Sequence, residues 1–365
     1  MTDPTDIREF LHRMADEAGV VPVDPVPVVR NARRRLVFTV AGTLLTVGVL
    51  VAGGVLGVNR LTSIPPAVPA SPGPTTEPSV PFAQVHGWIT YRSGSDIMAV
   101  DPTHPENGIS LGPSHGLDPI AWSRNGSRLL GRAKKNLYVL NADGSRRQLT
   151  RGGITAWGSF SPDGEMVAYD WASGDLHRLY VIDSAGGTPK LLLASGDRMA
   201  FLTFPAWSPD GSQIAFIEST VVGETSWGER IYRLTLSVVN ADGTGERVLR
   251  DLGREDRSPT GWAKGLVWSP DGSRFAFSSQ SIVGPASQLY VVNADGSELR
   301  RLTKRMNYAS NASWSPDGSR IAFVRGSTLF TMAADGSDVR PMLRPVKKAI
   351  AWNPVSEEGN QEEQP

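Results

Sequence analysis

One stretch, Ala312–Gly336 (ASWSPDGSRIAFVRGSTLFTMAADG), constrains the fold more than any other, because most of the chain is a variant of it. Its core returns as AWSPDGSQIAF (Ala206–Phe216) and VWSPDGSRFAF (Val267–Phe277). Looser copies are SFSPDGEMVAY (Ser159–Tyr169) and AWSRNGSRLLG (Ala121–Gly131), and a stub, AWNP, stands at Ala351–Pro354. A second motif follows each full copy: LYVLNADGS (Leu137–Ser145), LYVIDSAGG (Leu179–Gly187), LSVVNADGT (Leu236–Thr244), LYVVNADGS (Leu289–Ser297) and LFTMAADGS (Leu329–Ser337). Repeats tens of residues apart specify an array or a propeller.

Each copy parses into four short strands, A to D. In the last copy, strand A ends in Ala312-Ser313-Trp314, and Ser315-Pro316-Asp317-Gly318 is a tight turn. Proline presets φ there, aspartate bonds the backbone and glycine takes a positive φ. Strand B is Ser319–Val324, strand C is Thr328–Met332, and strand D is Val339–Leu343 after the Ala334-Asp335-Gly336 turn. Four antiparallel strands at this spacing make a propeller blade. The strand-A aromatics are Trp122, Phe160, Trp207, Trp268, Trp314 and Trp352, with gaps of 38, 47, 61, 46 and 38 residues. The first repeat lacks strand A: Gly87–Tyr91, Asp96–Asp101 and Asn107–Leu111 match only B, C and D. The spare strand Ala349–Asn353 completes that blade, which closes the ring and removes open sheet edges. The expectation is an all-β, six-bladed β-propeller over residues 84–354, closed by N- and C-terminal strands in one blade.

The paired W-S-P-D-G-x-x-I-A-F and L-Y-V-V-N-A-D-G motifs resemble the repeat of the TolB-type six-bladed β-propeller, over roughly 270 residues. The resemblance implies a fold shared by a periplasmic transport-complex protein and by the N-terminal half of prolyl oligopeptidase-like enzymes, so it leaves the function open. The expectation is a membrane anchor in place of the separate N-terminal domain of TolB, and no downstream hydrolase domain.

Upstream of the repeats the character changes. Asp3 and Pro4 cap a short amphipathic helix, whose apolar stripe is Ile7, Phe10, Leu11, Met14, Ala15 and Ala18. It is either a weak leader or a docking helix for a cytoplasmic partner or the membrane surface. Arg30 and Arg33-Arg34-Arg35 then precede Leu36–Val58, 23 residues without a charge. As a helix this spans about 35 Å, enough for a hydrocarbon core of about 30 Å. The arginines predict a single transmembrane helix with residues 1–35 cytoplasmic and the rest extracytoplasmic. A cleaved signal peptide is the competing reading, but its nearest small-residue site, Val68-Pro69-Ala70, falls late. Gly53 and Gly57 form a GxxxG, either a helix-dimer face or chance in a segment rich in small residues. Residues 59–83 form a linker with seven prolines, extended and semi-rigid, and residues 355–365 an acidic polar tail.

Lys plus Arg and Asp plus Glu both number 37, so no global field draws nucleic acid. Absence of cysteine excludes disulfides, thiol catalysis and Cys-held metals. No cofactor motif occurs. Asp163, Asp210, Asp271 and Asp317 recur once per blade and read as turn residues. Gly112-Pro113-Ser114-His115-Gly116 matches G-x-S-x-G, but a nucleophile elbow needs a helix after the serine, and here another strand follows. His12, His86, His104, His115 and His177 have no metal-helix spacing.

The two faces of the disc differ. The A–B and C–D turns share one face and hardly vary in length, whereas the B–C and D–A loops share the other and vary widely, longest at Glu218–Arg230 and Asp251–Lys264. Binding residues concentrate on loops held by a rigid scaffold. Trp171, Trp227, Trp262 and Tyr308 fall in these loops, either as recognition anchors or packed over a blade edge. Arg151, Arg198, Lys264, Lys304, Arg305, Lys347 and Lys348, against Asp118 and Asp197, form either a basic channel mouth for an acidic group or solvated loop charge. The expected protein is therefore a non-enzymatic, single-pass, cell-membrane propeller that binds or senses a protein, peptide or glycan in the envelope. The alternatives are a hydrolase or lyase with its site in the channel, and a structural scaffold.

Overall fold

The computed structural model describes residues 82–354, except 156, 197–198, 227, 256–262, 281–286, 304–307 and 347–349, with backbone only at 255, 263 and 264. The leader, the apolar segment 36–58, most of the linker and the acidic tail lie outside the described residues. Among the described residues no helix is long and apolar enough to cross a membrane.

The described chain forms six four-stranded antiparallel sheets. Blade one begins with β1 (Ile89–Ser93), β2 (Asp96–Val100) and β3 (Ile109–Pro113). Blade two is β4 (Asp118–Trp122), β5 (Arg128–Ala133), β6 (Asn136–Asn141) and β7 (Arg146–Gln148). Blade three is β8 (Gly158–Phe160), β9 (Met166–Ser173), β10 (Leu176–Asp183) and β11 (Lys190–Ala194). Blade four is β12 (Ala200–Trp207), β13 (Gln213–Glu224), β14 (Arg230–Asn240) and β15 (Arg247–Glu255). Blade five is β16 (Ala263–Trp268), β17 (Arg274–Ser279), β18 (Gln288–Asn293) and β19 (Arg300–Arg301). Blade six is β20 (Ala309–Trp314), β21 (Arg320–Arg325), β22 (Thr328–Ala333) and β23 (Arg340–Leu343). The last strand, β24 (Ile350–Trp352), joins blade one beside β1, with Ile89 opposite Trp352 and Tyr91 opposite Ile350. The ring is thus closed by the two ends of the repeat array. The innermost strands β24, β4, β8, β12, β16 and β20 each touch the next around the hub.

The repeated residues account for this packing. In each Ser-Pro-Asp-Gly turn the serine hydroxyl donates to the aspartate at 2.5–2.6 Å, and the same carboxylate accepts the N–H two residues on at 3.0 Å. Asn125 does the same work in blade two. The turn glycines Gly211, Gly272 and Gly318 lie against Pro162, Pro209 and Pro270 of the preceding blade. Strand-B residues alternate between neighbouring blades: Val167 and Tyr169 pack with Ile120, Leu130 and Val139 of blade two, while Ala168 packs with Leu202, Ile214 and Phe216 of blade four. This two-sided burial is why strand B reads I-A-F or V-A-Y, small between large, rather than apolar against polar.

Two expectations are adjusted. Strand B of blade one starts at Ile89 rather than Gly87, because His86-Gly87 stand in for the missing turn: Gly87 N–H donates to Asn353 O and Asn353 N–H to Trp88 O. The long B–C loop at 218–230 is mostly a hairpin, since β13 runs to Glu224 and β14 resumes at Arg230. Thr220-Val221-Val222 and Ile231-Tyr232 carry the β-branched and aromatic residues that extend the strands.

Candidate functional site

The turn face is committed to structure. Its carboxylates serve their own turns, and hydrogen bonds from Ser161, Ser208 and Ser269 hold Asp163, Asp210 and Asp271 below the usual carboxylate range, Asp271 at about 2. Arg124, which stands where other copies have proline, donates to Pro209 O two blades away. Ser114 lies buried in a turn, where its hydroxyl accepts from Gly116 N–H, and strand β4 follows directly. A nucleophile elbow is geometrically excluded there. His104 bonds Asp101 and Thr103 on the surface. Among the described residues no three of His, Cys, Asp and Glu are grouped to hold a metal.

The opposite face carries the variable connections, and the sequence-selected residues distribute unevenly on it. Trp171 is buried at 7 % exposure, so it is not a free anchor. Its indole N–H donates to Gly152 O at 2.8 Å, its ring meets Tyr180 edge-on, and Arg178 stacks on it at 5.7 Å. Gly153 permits this approach, since a Cβ there would lie 2.5 Å from the indole nitrogen. Tyr308 is exposed at 67 %, and Arg151 is exposed in the connection leaving β7. Lys264 pairs through its backbone with Ser278. Trp227, Trp262, Arg198, Lys304, Arg305, Lys347, Lys348 and Asp197 lie outside the described residues. Asp118 is held by Arg92 in a 2.5 Å ion pair across the blade one–blade two seam.

A strip that composition did not reveal crosses the edge of this face. It starts at the exposed Lys134-Lys135 turn between β5 and β6, where Lys135 O accepts from Thr155 N–H. Ile154 pairs with Ala172, and Ala172 with His177. The His177 ring lies 4.1 Å from that of Phe201, which meets Tyr232 edge-on at 5.8 Å. Along the strip and beside it stand Ile154 at 50 %, Leu176 at 39 %, Met199 at 46 % and Val222 at 45 % exposure. They come from different strand ends and connections, so no single run in the sequence marks them; only the register brings them together.

Burial pushes the His177 and His86 imidazoles below their ordinary pKa, with Asp175 partly opposing this at His177. The unfolded chain therefore binds protons more readily at these sites. Stability is full above the unfolded value of about 6.5 and falls as pH drops through it toward the lower folded values. Urea midpoints should decline between about pH 7.5 and 5.5, and His177→Phe, which keeps the contact with Phe201, should flatten that decline. An unchanged slope would assign the pH dependence elsewhere.

No protein-family model matches the chain. Over 121 residues, 33% of this chain, it is 36% identical to the Tol-Pal system protein TolB of Anaeromyxobacter dehalogenans. That match covers 23% of the relative, so the chain spans about a quarter of the length of the curated TolB proteins it matches. The fold superposes on a putative TolB from Agrobacterium tumefaciens with a TM-score of 0.53 and 22% identity, over 73% of this chain and 92% of that one. For TolB from Acinetobacter baumannii the TM-score is 0.53 and the identity 17%, over 73% and 66%. At these identities the superpositions establish the fold.

Proposed function

Starting from a TolB-like six-bladed propeller, we propose that this chain is a protein-binding module of the bacterial cell envelope, acting by recognition rather than turnover, with its contacts on the variable-loop face. The observation that carries this reading is the placement of exposed apolar side chains. Of the eight large ones among the described residues, Ile154, Leu176, Met199, Val222 and Tyr308 stand on that face. The turn face spends its repeated side chains on inter-blade packing and turn hydrogen bonds. Aliphatic and tyrosine contact residues on rigidly mounted loops suit a protein surface. The matched relatives are named as Tol-Pal system proteins, which favours an envelope setting. In the same reading, residues 36–58 anchor the propeller outside the membrane with residues 1–35 inside, and residues 1–20 are free to meet a cytoplasmic partner.

A photo-crosslinking side chain at Leu176 or Val222 should yield protein adducts in intact envelopes, and one at Asp295, on the turn face, should not. Equal adducts from all three positions, or none from the first two, would remove the assignment. Protease added outside intact cells should digest the propeller and spare the leader; full protection would reverse the topology.

A further inference from the structure

We propose that the strip from Lys134-Lys135 across Ile154 and Leu176 to Met199 docks an extended polypeptide segment that sets carboxylates against the lysines and aliphatic side chains along the rest. This rests on the protein-binding reading above and adds the chemistry of the partner.

Charge complementarity selects the carboxylates. Residues 118–153 contain eight Lys and Arg against two Asp, a local excess hidden by the balanced total. Three of these cations are engaged. Arg124 binds Pro209 O, Arg128 binds Gly164 O and Ser184 Oγ, and Arg146 covers the Tyr138 ring at 4.4 Å. Lys134, Lys135 and Arg151 remain exposed, with no ion pair among the described residues. They share the variable-loop edge of blade two, and the one described carboxylate on the strip is Asp175, in the β9–β10 turn. Unpaired cations beside low-polarity surface raise the attraction for an incoming anion above its value in open water.

The aliphatic component follows from the neighbours. Lys135 is hydrogen-bonded through its carbonyl to Thr155, directly after Ile154, and Arg151 lies three residues before it in the same connection. Leu176 precedes His177, which pairs with Ala172 beside Ile154. The cations therefore stand at the blade two end of a line that continues through apolar side chains, so a bound strand meets it with carboxylates at one end and aliphatic side chains at every second position beyond. An acidic glycan would be better met by exposed aromatic platforms, and those on the strip, Phe201 and Tyr232, are half-buried and buried. A lipid surface asks for fully protruding apolar prongs, whereas Ile154, Leu176 and Met199 are only 39–50 % exposed.

The test uses full-length protein and fluorescent peptides of roughly ten residues, one with Glu at one end followed by Leu at every second position, one with Lys in place of Glu and one with Ser in place of Leu. The Glu/Leu peptide should bind, and the other two should bind at least about tenfold more weakly. Raising salt from about 0.05 to 0.3 M should weaken it several-fold. The double charge reversal Lys134→Glu/Lys135→Glu, and separately Leu176→Ser, should each cost about tenfold or more; both are surface changes whose melting temperatures serve as the folding control. Equal binding of the Glu/Leu and Lys/Leu peptides, or an unaltered affinity in both variants, would overturn the proposal. So would displacement of the Glu/Leu peptide by phosphatidylglycerol-containing vesicles and not by excess unlabelled peptide, which would assign the strip to lipid. If envelope adducts from Val222 persist in the Lys134→Glu/Lys135→Glu variant while the Glu/Leu peptide fails to bind the native protein, protein binding stands and the strip chemistry falls.

Discussion

A chain ended at Lys348 loses its monomeric propeller, and a peptide covering 349–356 supplied in trans restores it. The expectation follows from what β24 contributes. Ile350, Ala351 and Trp352 are all buried, with the tryptophan packed beside Ile89, Tyr91 and Val324 in the cluster that joins blades one and six. Trp352 N–H donates to Ser313 Oγ of blade six, and its indole N–H to Gly87 O of blade one. Thr90, fully buried, donates to Ala351 O and accepts from the Trp122 indole of blade two. One three-residue strand therefore ties three blades. Burying a large apolar side chain contributes about 1.5–3 kcal/mol, and a buried Trp→Ala change costs about 3–5 kcal/mol. Losing the whole strand exceeds either figure and reaches the total stability of an ordinary domain, about 5–15 kcal/mol. It also bares the edge of β1, a template for pairing with other chains. Size-exclusion chromatography and thermal melting should show soluble oligomers or no cooperative transition, and recovery of both with the peptide. Trp352→Ala in the intact chain should lie between, with the urea midpoint clearly lowered. A truncated chain that remains monomeric with the full-length melting temperature would show that the ring does not depend on this closure.

How far the sequence reaches follows from what repetition encodes. The six blades are legible because each copy restates the same turn chemistry, and the closing strand because the first copy lacks what Ala351–Pro354 supplies. Even the split turn is foreshadowed, since the stub breaks off at the proline. The site is legible only as a face. Loops that differ among copies share no template, so the sequence places residues in them without saying which way they point. Trp171 illustrates the failure: a loop tryptophan and a wall tryptophan read alike, and the difference lies in Gly152-Gly153, which receive it from an adjacent connection. The hairpin at 218–230 was readable as a break in repeat length, but its strand character needed the pairing of Val221 with Tyr232 and Glu224 with Arg230. The basic strip needed one further fact, that Arg124, Arg128 and Arg146 of blade two are already engaged.

The repeated glycines give the second large effect, and it is unequal among copies. Gly296 closes the Asn-Ala-Asp-Gly turn of blade five at φ 86°, against the outer strand of blade four. A Cβ there would lie 2.2 Å from Leu249 O and 2.8 Å from its carbonyl carbon. Both contacts are backbone, so relief requires moving β15 or opening the seam. In blade four the corresponding Gly243 leaves 3.1 Å to Leu192 O, and in blade six Gly336 leaves 3.3 Å to Leu302. Gly174, in the β9–β10 turn at φ 57°, has nothing within 4 Å. Alanine at Gly174 therefore bears only the left-handed backbone cost, about 1 kcal/mol. Alanine at Gly243 or Gly336 adds a contact that neighbours relieve by a small shift. Alanine at Gly296 adds a displaced inter-blade backbone on top, about 3 kcal/mol or more in all. Urea titration of the four single variants should give the order Gly296 far above Gly243 and Gly336, and these above Gly174. Because Gly243, Gly296 and Gly336 share chemistry and a φ of 86–96°, the spread among these three isolates the packing of one blade upon the last. Four equal losses would mean that these glycines serve their own turns and leave the seams alone.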